Sequence, residues 1–254
     1  MTRPDIDSIA DRLIAAYDGA TTLAVNVALV LSEQKPGAVV LVDADLRAGD
    51  TTIYLDMTPQ YTILDLVPHI DALDARLIDQ VMGKYRGGLH VLARPTYPEQ
   101  SEVLTADHVR SILGSLAQMY ETVVIDAAMT YDDRMLAVLD LADLYVLIVT
   151  PHLGTLRSAR HFLHVARTLG YPDDRMCFVL NRASNLAGLS SDDIANVLGS
   201  RTMLQVPTAG PELTQAVNEG RPVVLHQPRS PVTRALQVVA EQVRLRVADP
   251  AARR

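Results

Sequence analysis

Thr21 and Thr22 open an apolar helical stretch, and Asp43 and Asp45 follow the short apolar run Val39–Val42. Hydroxyls and free backbone N–H groups at a helix start suit a phosphate. Carboxylates at a strand end lie where open α/β sheets bind their ligands. Together these residues are expected to make half of a phosphate-binding site. The other half needs glycines, so that backbone N–H groups can surround the phosphates, and a Lys to reach the outer oxygens. The residues before Thr21 are Ala15-Ala16-Tyr17-Asp18-Gly19-Ala20, with one Gly and no Lys. The only two lysines of the chain, Lys35 and Lys84, lie outside any Gly-rich turn.

The elements that must position these groups alternate along the chain. Strands are expected at Val39–Asp43, Leu89–Ala93, Thr122–Asp126, Leu144–Thr150, Met176–Asn181 and Met203–Val206. They are continuous apolar runs, as parallel strands covered on both faces require. Helices are expected between them, from Thr21–Ser32 to Pro231–Val247, with Ser190 as one N-terminal cap and Gly170 as one C-terminal stop. The pattern predicts a doubly wound, mostly parallel α/β sheet with helices on both faces.

The N-terminus departs from that pattern. Ile6, Ile9, Ala10, Leu13 and Ile14 recur at helical spacing. A central strand there would place Asp11 and Arg12 in the sheet, where unpaired charges are costly. The spacing therefore predicts an amphipathic helix over Ile6–Ile14 and a sheet whose first central strand is missing or altered. The expected organisation is an atypical, helical segment over 1–18, one α/β domain over 19–248, and a tail over 249–254.

Composition narrows the function. Hydrophobic content of 48% excludes general disorder, and the longest apolar run, Leu144–Val149, is far too short to span a bilayer. With no apolar signal core in residues 1–18, a cytoplasmic location is expected, with recruitment to the inner membrane face or cell pole left open. The net charge of −7 argues against non-specific DNA binding. Cys177, inside the apolar run Met176–Leu180, reads as a buried, inert thiol. His161 and His164 have metal-compatible spacing on one helix, but no Cys or Glu-His companion accompanies them. The C-terminal arginines share their helix with Val232, Leu236, Val239, Val243 and Val247, which reads as core packing and not as a membrane-surface face.

The strings VVLVDADLRAGD, IYLDMTPQYTILDLV, VVIDAA, YVLIVTP, CFVLNRAS and VPTAGPELTQAVNEGRPVV resemble the MinD/ParA superfamily of phosphate-loop ATPases. Within it, they look like the CpaE/TadZ branch associated with Tad-type pilus assembly, from about Gly19 to about Val239. The resemblance implies a SIMIBI-type NTPase fold with ATP and Mg²⁺ as ligands. Gly19, Ala20, Thr21 and Thr22 would meet the phosphates, with Thr21, Asp43 and Asp126 on the Mg²⁺ side. Asp45 would orient the attacking water, and Asn181, Arg182 and Pro207 would flank the adenine. It also implies partners in a pilus or secretion machine, and a homodimer closed by ATP.

Each role has a plainer alternative. Thr21 and Thr22 can simply cap a helix, Asn181 can be turn chemistry, and the aspartates can be inherited but idle. Three functions follow. The first is a positioning or scaffolding factor of a pilus machine with a degenerate site. The second is an active ATP-dependent dimerisation switch. The third is a ParA-like DNA-partitioning protein, which the charge disfavours.

Overall fold

The computed structural model describes residues 11–16, 19–183, 188–200 and 202–248. The strands are β1 (Asp11–Ala16), β2 (Val39–Asp43), β3 (Gly83–Lys84), β4 (His90–Leu92), β5 (Thr122–Asp126), β6 (Leu144–Val149), β7 (Met176–Asn181) and β8 (Met203–Val206). The helices before the middle of the chain are α1 (Ala20–Gln34), α2 (Thr51–Tyr54), α3 (Ala75–Val81), α4 (Ala106–Met119) and α5 (Asp133–Leu141). After it come α6 (Leu153–Thr168), α7 (Ser191–Leu198), α8 (Pro211–Asn218), α9 (Val223–His226) and α10 (Pro231–Ala248). The stretch Ile63–Ala72 is a 3₁₀ segment with Pro68 inside it.

One sheet runs in the order β3-β4-β2-β5-β1-β6-β7-β8, parallel throughout except for β3 against β4. Strand β2, VVLVD, is buried along its whole length because helices cover both faces. Its residues alternate between two cores: Val40 and Val42 pack with α4, α5 and α6, while Val39 and Leu41 pack with α1, α9 and α10. Helix α1 is apolar almost all round and is buried accordingly. Its Asn26 is satisfied inside that core, donating to the Thr22 carbonyl at 2.7 Å and accepting from the Val224 N–H at 3.0 Å.

The N-terminal expectation is corrected here. Residues Asp11–Ala16 are a strand at the centre of the sheet, paired with β5 on one side and β6 on the other. The first central strand is therefore present, and the helix expected over Ile6–Ile14 does not hold for its last four residues. Ile6–Ala10 lie outside the described residues, as does the 249–254 tail. Two causes explain the difference. Without β1, the facing backbone groups of β5 and β6 would have no ladder partner in the middle of the molecule. Asp11 is level with Thr122, the first residue of β5, so the two charged residues stand at the N-terminal end of the sheet and not at its middle.

Candidate nucleotide site

The register aligns the site. Asp43 pairs with Asp126, and Asp126 pairs with Ala15, so the ends of β2, β5 and β1 lie level at the C-terminal edge. Two strands on from β1, Asn181 ends β7 beside Val206 of β8. Gly19 caps α1 with φ +92°, a left-handed backbone that favours glycine. A Cβ there would lie 2.7 Å from Asn181 Nδ2, so the helix start also needs the missing side chain for space.

Asp43 and Asp126 are 1% and 2% exposed. Burial is the larger cause of a raised pKa in both, and for Asp43 the Asp126 charge adds to it. Asp43 is pushed up to about 8 and Asp126 to about 6. Thr51, at the start of α2, serves both: its N–H donates to Asp43 Oδ2 at 3.3 Å and its hydroxyl to Asp126 Oδ2 at 3.3 Å. The Thr21 hydroxyl bonds Asp126 as well. Asp43 Oδ1 is buried with no hydrogen-bond partner among the described residues. The backbone of Gly49 lies so close over that carboxylate that a Cβ would overlap it.

A magnesium ion fits these residues. Buried carboxylate oxygen without a partner, a second carboxylate beside it and a threonine hydroxyl form a hard oxygen donor set. Magnesium is commonly held by one or two carboxylates together with substrate phosphates and waters.

Asp45 is not one of the buried pair, but its charge adds to the upward push on Asp126. It is half-buried in the loop after β2, and its Oδ1 accepts from the Ala48 N–H at 3.0 Å and the Arg47 N–H at 3.4 Å. On the other side of the Thr21-Thr22 helix start, a cleft of ≈ 380 Å³ is lined by Gly19, Thr22, Asn181, Arg182, Pro207 and Thr208, among others. Its size is that of a small-molecule site. Asn181 Oδ1 accepts from the Arg182 N–H at 2.9 Å, which supports Arg182 in its left-handed backbone, φ +57°. The structure thus gathers Asn181, Arg182 and Pro207 in one cleft with Gly19 and Thr22. Thr21, Asp43 and Asp126 form a separate group, linked to that cleft through the Thr21-Thr22 helix start, and buried Ala20 lies between the two groups in sequence.

Sequence reasoning missed Thr51, Gly49 and Arg94. Thr51 carried a weak signal as a helix-start residue after Asp50. Arg94 carried none in a chain whose cations are nearly all Arg. His161, considered as a metal ligand, packs edge-on against Tyr131, with ring centroids 5.8 Å apart.

No protein-family model matches the chain. It is similar to an uncharacterized ATP-binding protein of Methanocaldococcus jannaschii, 24% identical over 239 residues, 89% of this chain and 83% of the relative. Among solved structures, a ParA family ATPase from Chlorobium tepidum superposes with a TM-score of 0.85 at 24% identity, covering 91% of this chain and 98% of that one. The septum site-determining protein MinD of Pyrococcus horikoshii, complexed with Mg-ADP, gives 0.76 at 20%, covering 92% and 95%. The fold is that of the MinD and ParA ATPases. In fold, and more distantly in sequence, the chain resembles the MinD/ParA-type ATPases.

Proposed function

We propose that the protein is a CpaE/TadZ-like positioning or scaffolding factor for a Tad-type pilus or secretion machine, one that binds Mg-nucleotide weakly and does not turn it over. The observation that carries this reading is the buried pair Asp43 and Asp126, joined by Thr21 and Thr51, at the end of a helix start that has no lysine. The ATP-binding relative and the Mg-ADP complex of the structural neighbour support nucleotide as the ligand. The motif strings around Asp43 and from Asn181 to Val224 support the pilus branch.

In this reading, the N–H groups at the start of α1 hold phosphate oxygens by geometry and helix dipole alone. Thr21, Asp43 and Asp126 would hold Mg²⁺, which would neutralise phosphate charge. Asn181, Arg182 and Pro207 border the base. Asp45 has the carboxylate that an active relative would use on water, but here its Oδ1 is engaged by loop amides. Losing a lysine removes a charge-assisted hydrogen bond where charge develops, which costs turnover more than binding.

The dimerisation switch is the second reading, favoured by the central position of β1, which aims the helix start at both carboxylates. DNA partitioning is disfavoured by the net charge of −7. Among the described residues, no helix is long and apolar enough to cross a membrane.

Light scattering and phosphate-release assays decide between scaffold and switch. At roughly millimolar Mg-ATP, the expected result is an unchanged mass and no phosphate release above the buffer rate. An ATP-dependent doubling of mass would replace the scaffold reading with the switch.

A further inference from the structure

Arg94 lies just beyond β4, next to the strand that carries Asp43, since Val42 pairs with Leu92. Its half-buried guanidinium donates only to backbone carbonyls: Nε to Gly49, and Nη1 to Pro95 at 2.7 Å and Thr96 at 3.4 Å. Among the described residues, no carboxylate comes within ion-pair distance of it.

The Gly49 contact reaches the whole loop between β2 and α2. The Gly49 N–H donates to the Asp45 carbonyl at 2.8 Å, and the Asp45 carboxylate holds the Ala48 N–H. Next along the chain, the Asp50 carbonyl accepts from Tyr54, and the Thr51 N–H bonds Asp43. Gly49 itself lies against the Asp43 carboxylate. One guanidinium therefore ties the loop that carries Asp45 and covers Asp43 to the sheet edge.

We propose that Arg94 is a positioning residue that latches the 45–50 loop over the carboxylate pair, so that a ligand meets a pre-formed cover instead of ordering one. The planar fork of Arg, with fixed donors on separate nitrogens, can hold carbonyls of two segments at once, which a Lys ammonium does less well. Direct phosphate contact is not what its place offers. The order β4-β2-β5-β1 sets it three strand spacings, on the order of 14 Å, from the strand before the helix start. A loop left free would be ordered only on binding, at an entropic cost to affinity.

The nucleotide arm of the test rests on the proposed function, but the latch itself does not. In the full chain, Arg94→Met should speed amide exchange of Ala48, Gly49 and Thr51 by at least about ten-fold. Amides of β5 and β6 should keep their rates. Arg94→Lys, which restores the charge and one donor, should fall between. If Arg94→Met does not fold, the Lys variant carries the comparison alone, with a smaller acceleration expected at the same loop amides and none in β5 and β6. Mg-ADP affinity of Arg94→Met should drop by roughly ten-fold.

Unchanged loop exchange, or acceleration spread equally through β5 and β6, would overturn the latch. If Mg-ADP binds Arg94→Met as tightly as the unaltered chain, pre-organisation by the latch is likewise overturned. If Mg-ADP does not bind the unaltered chain at all, the proposed function falls and the exchange result still decides the latch.

Discussion

Between about pH 6 and about pH 9, without divalent cation, the melting temperature falls by roughly 6–12 °C, and Asp43→Asn removes most of the fall. The cause is the pair of buried carboxyls, with Asp43 raised to about 8 and Asp126 to about 6. A carboxyl whose folded pKa lies above its unfolded value near 3.8 keeps its proton longer in the folded state. Its stabilisation is complete below the unfolded value and is lost as pH rises through the folded one. From pH 6 to the Asp43 midpoint, about two decades of proton concentration at roughly 1.4 kcal/mol each give a loss on the order of 3 kcal/mol.

The Thr51 N–H and the Arg94 charge favour the ionised form of Asp43, but burial and Asp126 outweigh them. His90, whose pKa burial lowers, works in the opposite sense, gaining stability as pH rises through its unfolded value, and offsets a small part of the fall. Asn at position 43 keeps the shape and an acceptor for Thr51 but has no charge to bury. At about pH 9 the variant should therefore melt above the unaltered chain. Magnesium should narrow that gap by stabilising only the chain that has the carboxylate. Thermal melts by circular dichroism, with and without Mg²⁺, test all three statements.

Ala20→Lys should tighten Mg-ATP binding by at least about ten-fold. One charge-assisted hydrogen bond contributes roughly 1.5–3 kcal/mol, which is about 10- to 150-fold in affinity. Position 20 is the first residue of α1, between Gly19 of the cleft and Thr21 on Asp126. An ammonium placed there starts one residue from Thr21, which bonds Asp126, at a helix start that has no lysine. The control is Ala20→Gln, similar in reach but uncharged, which should gain little. If calorimetry finds the two variants indistinguishable, the missing lysine is not what limits the site.

The parts of the fold that are local in cause could be read from the chain. Val39–Asp43 and Leu144–Val149 announce buried parallel strands through unbroken apolar runs, and Asp43 and Asp126 announce themselves as carboxylates at strand ends. Strand β1 could not be read this way. The spacing of Ile6 to Ile14 suits a helix, and what makes Asp11–Ala16 a strand is the need of β5 and β6, more than a hundred residues away, for a partner. The same non-locality hid Thr51 and Arg94. Each matters through what it touches, Asp43, Asp126 or Gly49, and not through its neighbours in sequence. Helix α9, VVLH, is too short to show a period, and its place is set by Asn26 across the core.

The measurement that bears most directly on the account is calorimetric titration of Mg-ADP into the unaltered chain and into Asp126→Asn. The account predicts saturable binding with Kd on the order of 10⁻⁴ to 10⁻³ M for the unaltered chain. In Asp126→Asn, binding should no longer depend on magnesium. Absence of saturable binding at roughly 10 mM nucleotide, or low-micromolar affinity in a chain without a phosphate-loop lysine, would contradict it.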